Sequence, residues 1–281
     1  MRNVSIWSLS HRIRQMRIPL FHINAFTHEP FSGNPAAICL LDSWLDDQHL
    51  RKVAAENNLS ATAFLVARES SLELRWFTPV REIRLCGHAT LATAHLIFTF
   101  LQPKRDGLPF STRFSGILTA RKEGSLIAMD FPAFVPKDCP RPPAELRSAL
   151  GVSEAPSAVL ETDDAYIAVF DSQDVIRKII PNFALLESFH PAVVMATAPG
   201  DARDADFVTR YFAPSYGVPE DPVTGSAHCS LAPYWAKRLG RTHLHARQLS
   251  EHGGELWCEL AGNRVILKGQ AVLTMEGTLS I

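Results

Sequence analysis

Apolar and polar residues alternate along several segments in the first half of the chain. In Leu72–Phe77 the side chains of Leu72, Leu74 and Trp76 fall on one side, which is the period of a β-strand. Asp46–Asn57 shows helical spacing instead. Ala89–Leu101 is apolar on nearly all sides and therefore predicts a buried helix. Further strands are predicted at Ile18–Phe26, Ala36–Leu41 and Ala61–Ala67.

The second half repeats this order of elements. A helix is predicted at Pro143–Leu150, and a second apolar helix at Ser226–Leu239, closed by Gly240. The segment Leu244–Ser280 divides into short strands at turns that contain glycine. Other strands are predicted at Gly116–Ala120, Leu126–Phe131, Ala165–Phe170, Val193–Ala196 and Ala205–Phe212.

Two short segments occur once in each half and in the same order. Arg75–Pro79 matches Arg210–Pro214, and Gly87–Ala89 matches Gly225–Ala227. In both halves a strand leads through a loop and a glycine into a hydrophobic helix. The sequence therefore predicts an α+β protein of two pseudo-symmetric domains, each a sheet wrapped around one central hydrophobic helix.

Length and composition fit this division and exclude several classes of protein. A chain of 281 residues suits two domains of roughly 100–150 residues each. The formal net charge is −1, so nucleic acid is not expected as a partner. Five cysteines without a CxxC pair argue against a disulfide framework and favour a cytoplasmic location. No apolar run reaches about 18 residues, so no membrane span is expected.

The first residues of the chain are basic. Arg2, Arg12 and Arg14 precede the first acidic residue, Glu29. We interpret residues 1–15 as a disordered upstream extension, with Met16 as the natural start. A short targeting peptide is the alternative, but the segment has no continuous apolar region.

The glycine before each apolar helix predicts a site for an anion. Gly87 and Gly225 let the backbone turn sharply, so that the first amide N–H groups of each helix are exposed. These groups and the helix dipole attract negative charge. If a pseudo-twofold axis relates the domains, both helix starts face one cleft, which suits a small carboxylate or an enolate-like intermediate.

Reactive side chains cluster around both glycines, and each has a structural alternative. Cys86 could be only a small buried hydrophobe, and His88 a histidine satisfied at a helix start. Asp221 could be a turn residue, and Ser226 a helix cap. Their clustering at two equivalent places favours a functional site. Thr224 and His228 complete the second cluster, with His228 expected to be structural.

Other kinds of site have little support in the sequence. His243, His245 and His252 lack a carboxylate or cysteine at ligand spacing, so we expect no metal. The chain contains no GxxxxGK[ST], GxGxxG or GxSxG motif, and we expect no cofactor.

Several segments, in order, resemble the signatures of phenazine-biosynthesis-like (PhzF) proteins. The resemblance extends from about Ile18 to the C-terminus. The segment that contains Asp-Pro-Val-Thr-Gly-Ser is the most specific. The matching segments are Phe31–Ala36, Arg75–Pro79, Leu85–Thr90, Glu220–Cys229 and Leu231–Trp235.

The resemblance implies the fold of diaminopimelate epimerase, with a β-barrel-like sheet around the central helix of each domain. We expect domains at residues 16–115 and 116–269, with the tail 270–281 packing on the first. The resemblance also implies a homodimer and a cofactor-independent isomerase that moves a proton on a small carboxylate-bearing substrate, such as a dihydro-hydroxyanthranilate, in the interdomain cleft.

The same resemblance assigns roles to residues. Asp221 and His88 match catalytic positions, and Ser226 matches a substrate contact. Gly87 and Gly225 match backbone contacts at the helix starts. Asn34 and Thr224 lie in the matching segments and are assigned to substrate binding.

One position departs from the family pattern. The usual segment Asn-Leu-Ser-Glu-Thr-Ala-Phe is here Asn58–Phe64, with Ala61 in place of the catalytic glutamate. A positioned acid–base group contributes about 10²–10⁴-fold in rate, so the family reaction is expected to be impaired. Two alternatives follow. The chain is a non-catalytic binder of small molecules, or Cys86, with a pKa lowered by the helix start and a charged histidine, serves a thiol-dependent racemase or epimerase.

Overall fold

The computed structural model describes residues 16–201 and 203–281. The predicted extension at residues 1–15 lies outside the described residues. The strands of the first half are β1 (Arg17–Ala25), β2 (Asn34–Leu41), β3 (Ala61–Ala67), β4 (Leu72–Phe77), β5 (Glu82–Ile83), β6 (Gly107–Thr112), β7 (Ile117–Glu123), β8 (Leu126–Pro132) and β9 (Lys137–Asp138).

The strands of the second half follow in a similar order. They are β10 (Ala158–Glu161), β11 (Ala165–Val169), β12 (Val193–Pro199), β13 (Phe207–Ala213), β14 (Val218–Glu220), β15 (His243–Gln248), β16 (Gly254–Ala261), β17 (Arg264–Gly269) and β18 (Ala271–Ser280).

Two helices, Gly87–Leu96 and Gly225–Leu239, pass through the interior, and the others lie outside. The helices are α1 (Asp47–Asn57), α2 (Gly87–Leu96), α3 (Leu146–Leu150), α4 (Gln173–Lys178), α5 (Phe183–Glu187) and α6 (Gly225–Leu239). A π-helical turn, Ile97–Leu101, continues α2. The two buried helices that the hydrophobic pattern predicted are thus confirmed.

Strand pairing follows one pattern in both halves. In the first, β2 runs parallel to β3, β3 antiparallel to β4, and β4 parallel to β6. In the second, β11 runs parallel to β12, β12 antiparallel to β13, and β13 parallel to β15. The predicted fold class, α+β with two pseudo-symmetric halves, is therefore confirmed.

The repeated arginine has the same partners in each half. Arg75 Nε donates to Glu82 Oε1 at 2.7 Å, and Arg210 Nε donates to Glu220 Oε1 at 2.7 Å. Each guanidinium also lies 5.1 Å from the ring centre of the phenylalanine two residues later. A mostly buried bidentate pair orients the loop that leads to each helix start.

The two halves are joined by shared strand pairs. β8 pairs antiparallel with β17, and Met129 lies opposite Leu267. These two residues are separated in sequence by the same number of positions as Gly87 and Gly225. The pair β8–β17 therefore lies on the pseudo-twofold axis.

The first strand of each half pairs with a final strand. β18 pairs along β1, and β9 pairs with β10. Met16 N donates to Ile281 O at 2.8 Å, and Ile281 N donates to Met16 O at 3.0 Å. The domain boundary at residue 115 stays a prediction. Because β7 pairs with β6 of the first half, the pairing favours a boundary later in the sequence.

The core packs around α2 and α6. Leu91 of α2 and Leu231 and Trp235 of α6 are fully buried. Burial of such side chains contributes about 1.5–3 kcal/mol each. Trp235 Nε1 donates to Thr197 Oγ1 at 3.0 Å, so its polar atom is also satisfied. Both helix starts are thereby held at fixed positions in the centre of the molecule.

Some elements could not be found from the pattern. β6 contains Gly107 and Pro109, which weaken a strand prediction, but it is held between β4 and β7. α4 and α5 have six and five residues, too few to show a helical period. Among the described residues no helix is long and apolar enough to cross a membrane.

Candidate active site

The starts of α2 and α6 meet at their glycines. A Cβ placed on Gly87 would lie 3.6 Å from the Cα of Gly225. A Cβ placed on Gly225 would lie 3.7 Å from the Cα of Gly87. The prediction that both helix starts face one place is therefore confirmed, and their partial positive charges add there.

A cavity of about 290 Å³ opens at this meeting point; we call it the cleft. It is lined from both halves. Among its lining residues are Ser60, Arg81, Cys86, Gly87, His88, Phe134, Tyr211, Tyr216, Asp221, Thr224, Gly225 and Ser226.

Asp221 is the carboxylate of the cleft. Its Oδ1 accepts from Asn34 Nδ2 at 2.9 Å, and its Oδ2 accepts from Thr224 Oγ1 at 2.5 Å. Burial raises the pKa of Asp221 to about 6, and the hydrogen bonds from Thr224 and Asn34 oppose part of this rise. The group is therefore able both to take and to give a proton near neutral pH.

Asn34 links Asp221 to His88 through Ser60. Its Nδ2 donates to Asp221 and to Val223 O at 2.9 Å, so its Oδ1 faces Ser60, whose hydroxyl donates to it at 2.7 Å. With its proton used, Ser60 Oγ accepts from His88 Nε2, which lies 3.2 Å away. Burial lowers the pKa of His88 to about 4. The imidazole is therefore neutral and carries its proton on Nε2.

Cys86 corrects one expectation. The prediction of a lowered pKa is wrong, because burial raises the pKa of the Cys86 thiol to about 12. The neighbouring His88 is neutral, so no cation offsets the burial. His88 Nδ1 lies 3.5 Å from Cys86 Sγ, and the S–H group donates to this lone pair. A thiol in this state is a weak nucleophile and a weak base.

The start of α6 is fixed by Gln248 of β15 and by a contact within the helix itself. Gln248 Oε1 accepts from Thr224 N at 2.9 Å, and Gln248 Nε2 donates to Asp221 O at 2.6 Å. His228 Nδ1 donates to Thr224 O at 2.8 Å. Thr90 makes the equivalent contact in α2, from its hydroxyl to Cys86 O at 2.6 Å. His228 therefore makes a contact within its own helix, as expected for a structural residue. Ser226, in contrast, is exposed to the cleft.

Ala61 lies beside the cleft but does not line it. It is the first residue of β3, is fully buried, and packs in the apolar core. Its neighbour Ser60 does line the cleft. A longer side chain at position 61 would therefore start from an apolar environment.

The structure brings most of the predicted residues together. Seven of them line the cleft, namely Cys86, Gly87, His88, Asp221, Thr224, Gly225 and Ser226. Asn34 contacts Asp221 without lining the cleft. Sequence reasoning missed Ser60 and Gln248. Ser60 immediately precedes Ala61 in a signature segment, whereas nothing in the sequence marked Gln248.

The mouth of the cleft contains a contact between the halves. The guanidinium of Arg81 lies 5.4 Å from the ring centre of Tyr216, and both residues line the cleft.

In residues 16–201 and 203–281, three or more His, Cys, Asp or Glu side chains do not come together in a group able to hold a metal ion.

Comparison with known proteins agrees with this architecture. The family model for phenazine biosynthesis-like proteins (PhzC-PhzF) matches residues 23–277. Over 266 residues the chain is 50% identical to an uncharacterized isomerase of Pseudomonas aeruginosa, covering 95% of this chain and 100% of that protein. Over 288 residues it is 38% identical to a phenazine biosynthesis-like domain-containing protein of Homo sapiens, covering 94% and 100%.

A crystal structure gives the same result. A phenazine biosynthesis protein of the PhzF family from Enterococcus faecalis superposes with a TM-score of 0.89 at 42% identity, covering 95% of this chain and 100% of that chain. The duplicated fold and the paired helix starts define a protein of the diaminopimelate epimerase-like class. Within that class, the chain belongs to the phenazine biosynthesis-like (PhzC-PhzF) family.

Proposed function

We propose that this protein is a cofactor-independent isomerase that moves a proton between two carbon atoms of a small carboxylate-bearing substrate. The observation that carries the proposal is the position of Asp221. A carboxyl group with a pKa of about 6 lies in the cavity where two helix starts meet. The coarser class, an isomerase-type family, agrees with the names of the relatives.

The chemistry follows from these groups. The substrate carboxylate binds at the amides of α2 and α6, with Ser226 as a hydroxyl contact. The Asp221 carboxylate removes a proton from a carbon, and the electron pair of that C–H bond moves into the conjugated system. The resulting enolate-like charge is stabilised by the same amides. Asp221 then returns the proton to a different carbon, so that atoms and charge balance.

His88 supports this step as a neutral hydrogen-bonding group. Its Nε2 proton is committed to Ser60, and Ser60 and Asn34 connect it to Asp221. The network therefore fixes the direction of the Asp221 lone pairs. It does not require the glutamate that the family pattern places at position 61.

A specific observation favours a second candidate, a binder without turnover. Asp221 is the single carboxylate lining the cleft among the described residues. If its proton cannot reach both carbon atoms of a substrate, the cleft binds the carboxylate and no isomerisation follows. The thiol-dependent racemase has lost its support, because Cys86 is a buried protonated thiol.

The test is hydrogen exchange in D₂O. The protein is incubated with a dihydro-hydroxyanthranilate and with small unsaturated or amino carboxylates, and deuterium incorporation is followed by NMR. We expect incorporation by the unaltered protein and a loss of about 10²–10⁴-fold in Asp221→Asn. Asp106→Asn is the matched control, because Asp106 is exposed and lines neither the cleft nor its surroundings. Equal exchange in Asp221→Asn and the unaltered protein would contradict the proposal.

A further inference from the structure

A second cavity of about 540 Å³ adjoins the cleft; we call it the side cavity. It lies between the first turns of α6, the ends of β10, β11 and β12, and the segment that leads from β8 to β9. Three residues, Phe134, Tyr211 and Ser226, line both cavities. The two spaces therefore meet at the start of α6, where the substrate carboxylate is placed by the proposed function.

The side cavity contains a hydroxyl group that is reached from the cavity. Ser230 lies one turn after Ser226 on α6, and only 4% of its surface is exposed. Its hydroxyl lines the cavity and makes no hydrogen bond to any of the residues that the structure describes. The Ser230 oxygen is not among the fully buried polar atoms that lack a partner, so it stays open to the side cavity and can contact a ligand there.

The charge at the far end of the side cavity is negative. Glu161 and the exposed residues Asp163 and Asp164 line it, and the lining cation is Lys137, the register partner of Glu161 on strand β9. Within the described chain none of these three carboxylates forms an ion pair with a lysine, arginine or histidine. The cavity therefore presents two more negative charges than positive ones, an arrangement that favours an ammonium group.

Tyr211 connects this end with the cleft. Burial raises the pKa of the Tyr211 hydroxyl, and the charges of Asp221 and Asp164 raise it further. Asp164 lines the side cavity together with Tyr211 and is close enough to act on its hydroxyl. A ligand that extends from the helix starts past Ser226 and Tyr211 meets Asp164.

We propose that the side cavity binds the distal part of the substrate, and that this part carries an ammonium group. The inference rests on the proposed function only for the position of the substrate carboxylate at the helix starts. The substrate class is then an elongated carboxylate with an amine at its other end, in which the amine contacts the Ser230 hydroxyl and pairs with Asp164.

The test uses binding, so it does not depend on turnover. Dissociation constants are measured by calorimetry for straight-chain ω-amino carboxylates of increasing length, starting from γ-aminobutyrate, and for carboxylates of equal length without the amine. We expect one range of lengths in which the amine tightens binding by about two- to fivefold, the size of an exposed ion pair. Asp164→Asn abolishes this gain and leaves the amine-free compounds unchanged.

Three further variants complete the design. Ser230→Ala weakens binding of the amine-bearing compounds, whereas Asp106→Asn changes neither series. Replacing Ser226 by Ala weakens both series, because it alters the carboxylate end. The inference is overturned if no length shows a gain from the amine, or if the gain survives both Asp164→Asn and Ser230→Ala. A failed exchange assay with a positive result here would refute the isomerase alone.

Discussion

Gly87 and Gly225 meet across the pseudo-twofold axis, with each Cα less than 4 Å from the place where the other residue would carry its Cβ. Neither glycine has a positive φ, so neither is required by the backbone conformation. Their role is to let two helix starts approach closely. The close approach brings the exposed amides of both helices to a single ligand.

This contact predicts a non-additive effect on stability. A single alanine at either position meets its nearest neighbours at ordinary contact distance, 3.6 Å for Gly87 and 3.5 Å for Gly225. The double variant places two methyl groups in one gap. We expect the loss of unfolding free energy in the double variant to exceed the sum of the single losses by about 0.5–3 kcal/mol. Urea unfolding of the four proteins measures this, and additive losses would show that the gap has room for both.

The raised pKa of Asp221 predicts that Asp221→Asn stabilises the protein above pH 6. Since the folded-state pKa of about 6 exceeds the unfolded value, stability is lost as pH rises from about 4 to 6. The full loss, at most roughly 3 kcal/mol, is present at pH 7 and absent below pH 4. Thermal unfolding of both proteins across this range tests it.

The comparison of these two proteins isolates Asp221. The buried His88 and His228 have lowered pKa values and change stability in the opposite direction with pH, but they are common to both proteins. A stability difference that is constant from pH 4 to pH 8 would contradict the raised pKa.

Thr224 predicts a shift in the pH profile of exchange. The active form of Asp221 is the carboxylate, so the rate rises with pH through about 6. Thr224→Val removes a hydrogen bond that stabilises this carboxylate, so the rise moves up by about one to two pH units. Thr224→Ser keeps the hydroxyl and serves as control. An identical profile in Thr224→Val would mean that another group titrates.

Position 61 predicts a gain of activity. Ala61→Glu restores the family residue, and we expect exchange to increase by about 10²–10⁴-fold if the carboxylate reaches the cleft from β3. Ala61→Gln is the matched control, since it has the same size and no acid–base function. Both variants place a polar group in an apolar core and lower stability. Equal rates for the Glu and Gln variants would show that Asp221 needs no second carboxylate.

Cys86 predicts an absence of effect. Because its pKa is about 12, the thiol stays protonated and transfers no proton in the reaction. We therefore expect Cys86→Ser to change the rate of exchange by less than about threefold. A loss of a hundredfold or more, checked in the same NMR assay, would return the thiol to the mechanism.

The sequence revealed the fold where two signals agreed. The apolar runs that became α2 and α6 were visible because burial on all sides leaves no polar face, and the repeated Arg75 and Arg210 segments marked equivalent strands. The paired glycines were predictable from their position before each helix. These are local features, and local features can be read from one chain.

The remaining contacts depend on pairs distant in sequence. Gln248 contacts Thr224 only because β15 lies beside β13, and no local sequence pattern predicts that these strands are neighbours. The thiol pKa of Cys86 was mispredicted for a related reason. The helix start was visible in the sequence, but the depth of burial, which dominates the pKa, is set by the whole fold.

The side-by-side position of residues 16 and 281 has a consequence for how the chain can be rearranged. A few linking residues would join these two points, and new ends could be opened at the exposed residues Arg141 and Pro142, between the last strand of one half and the first strand of the next. Such a circular permutant would carry the two halves in the opposite order and keep every strand pair. The fold requires that the first strand of each half pairs with the final strand of the other half. It does not require that the two halves follow one another in a particular order along the chain.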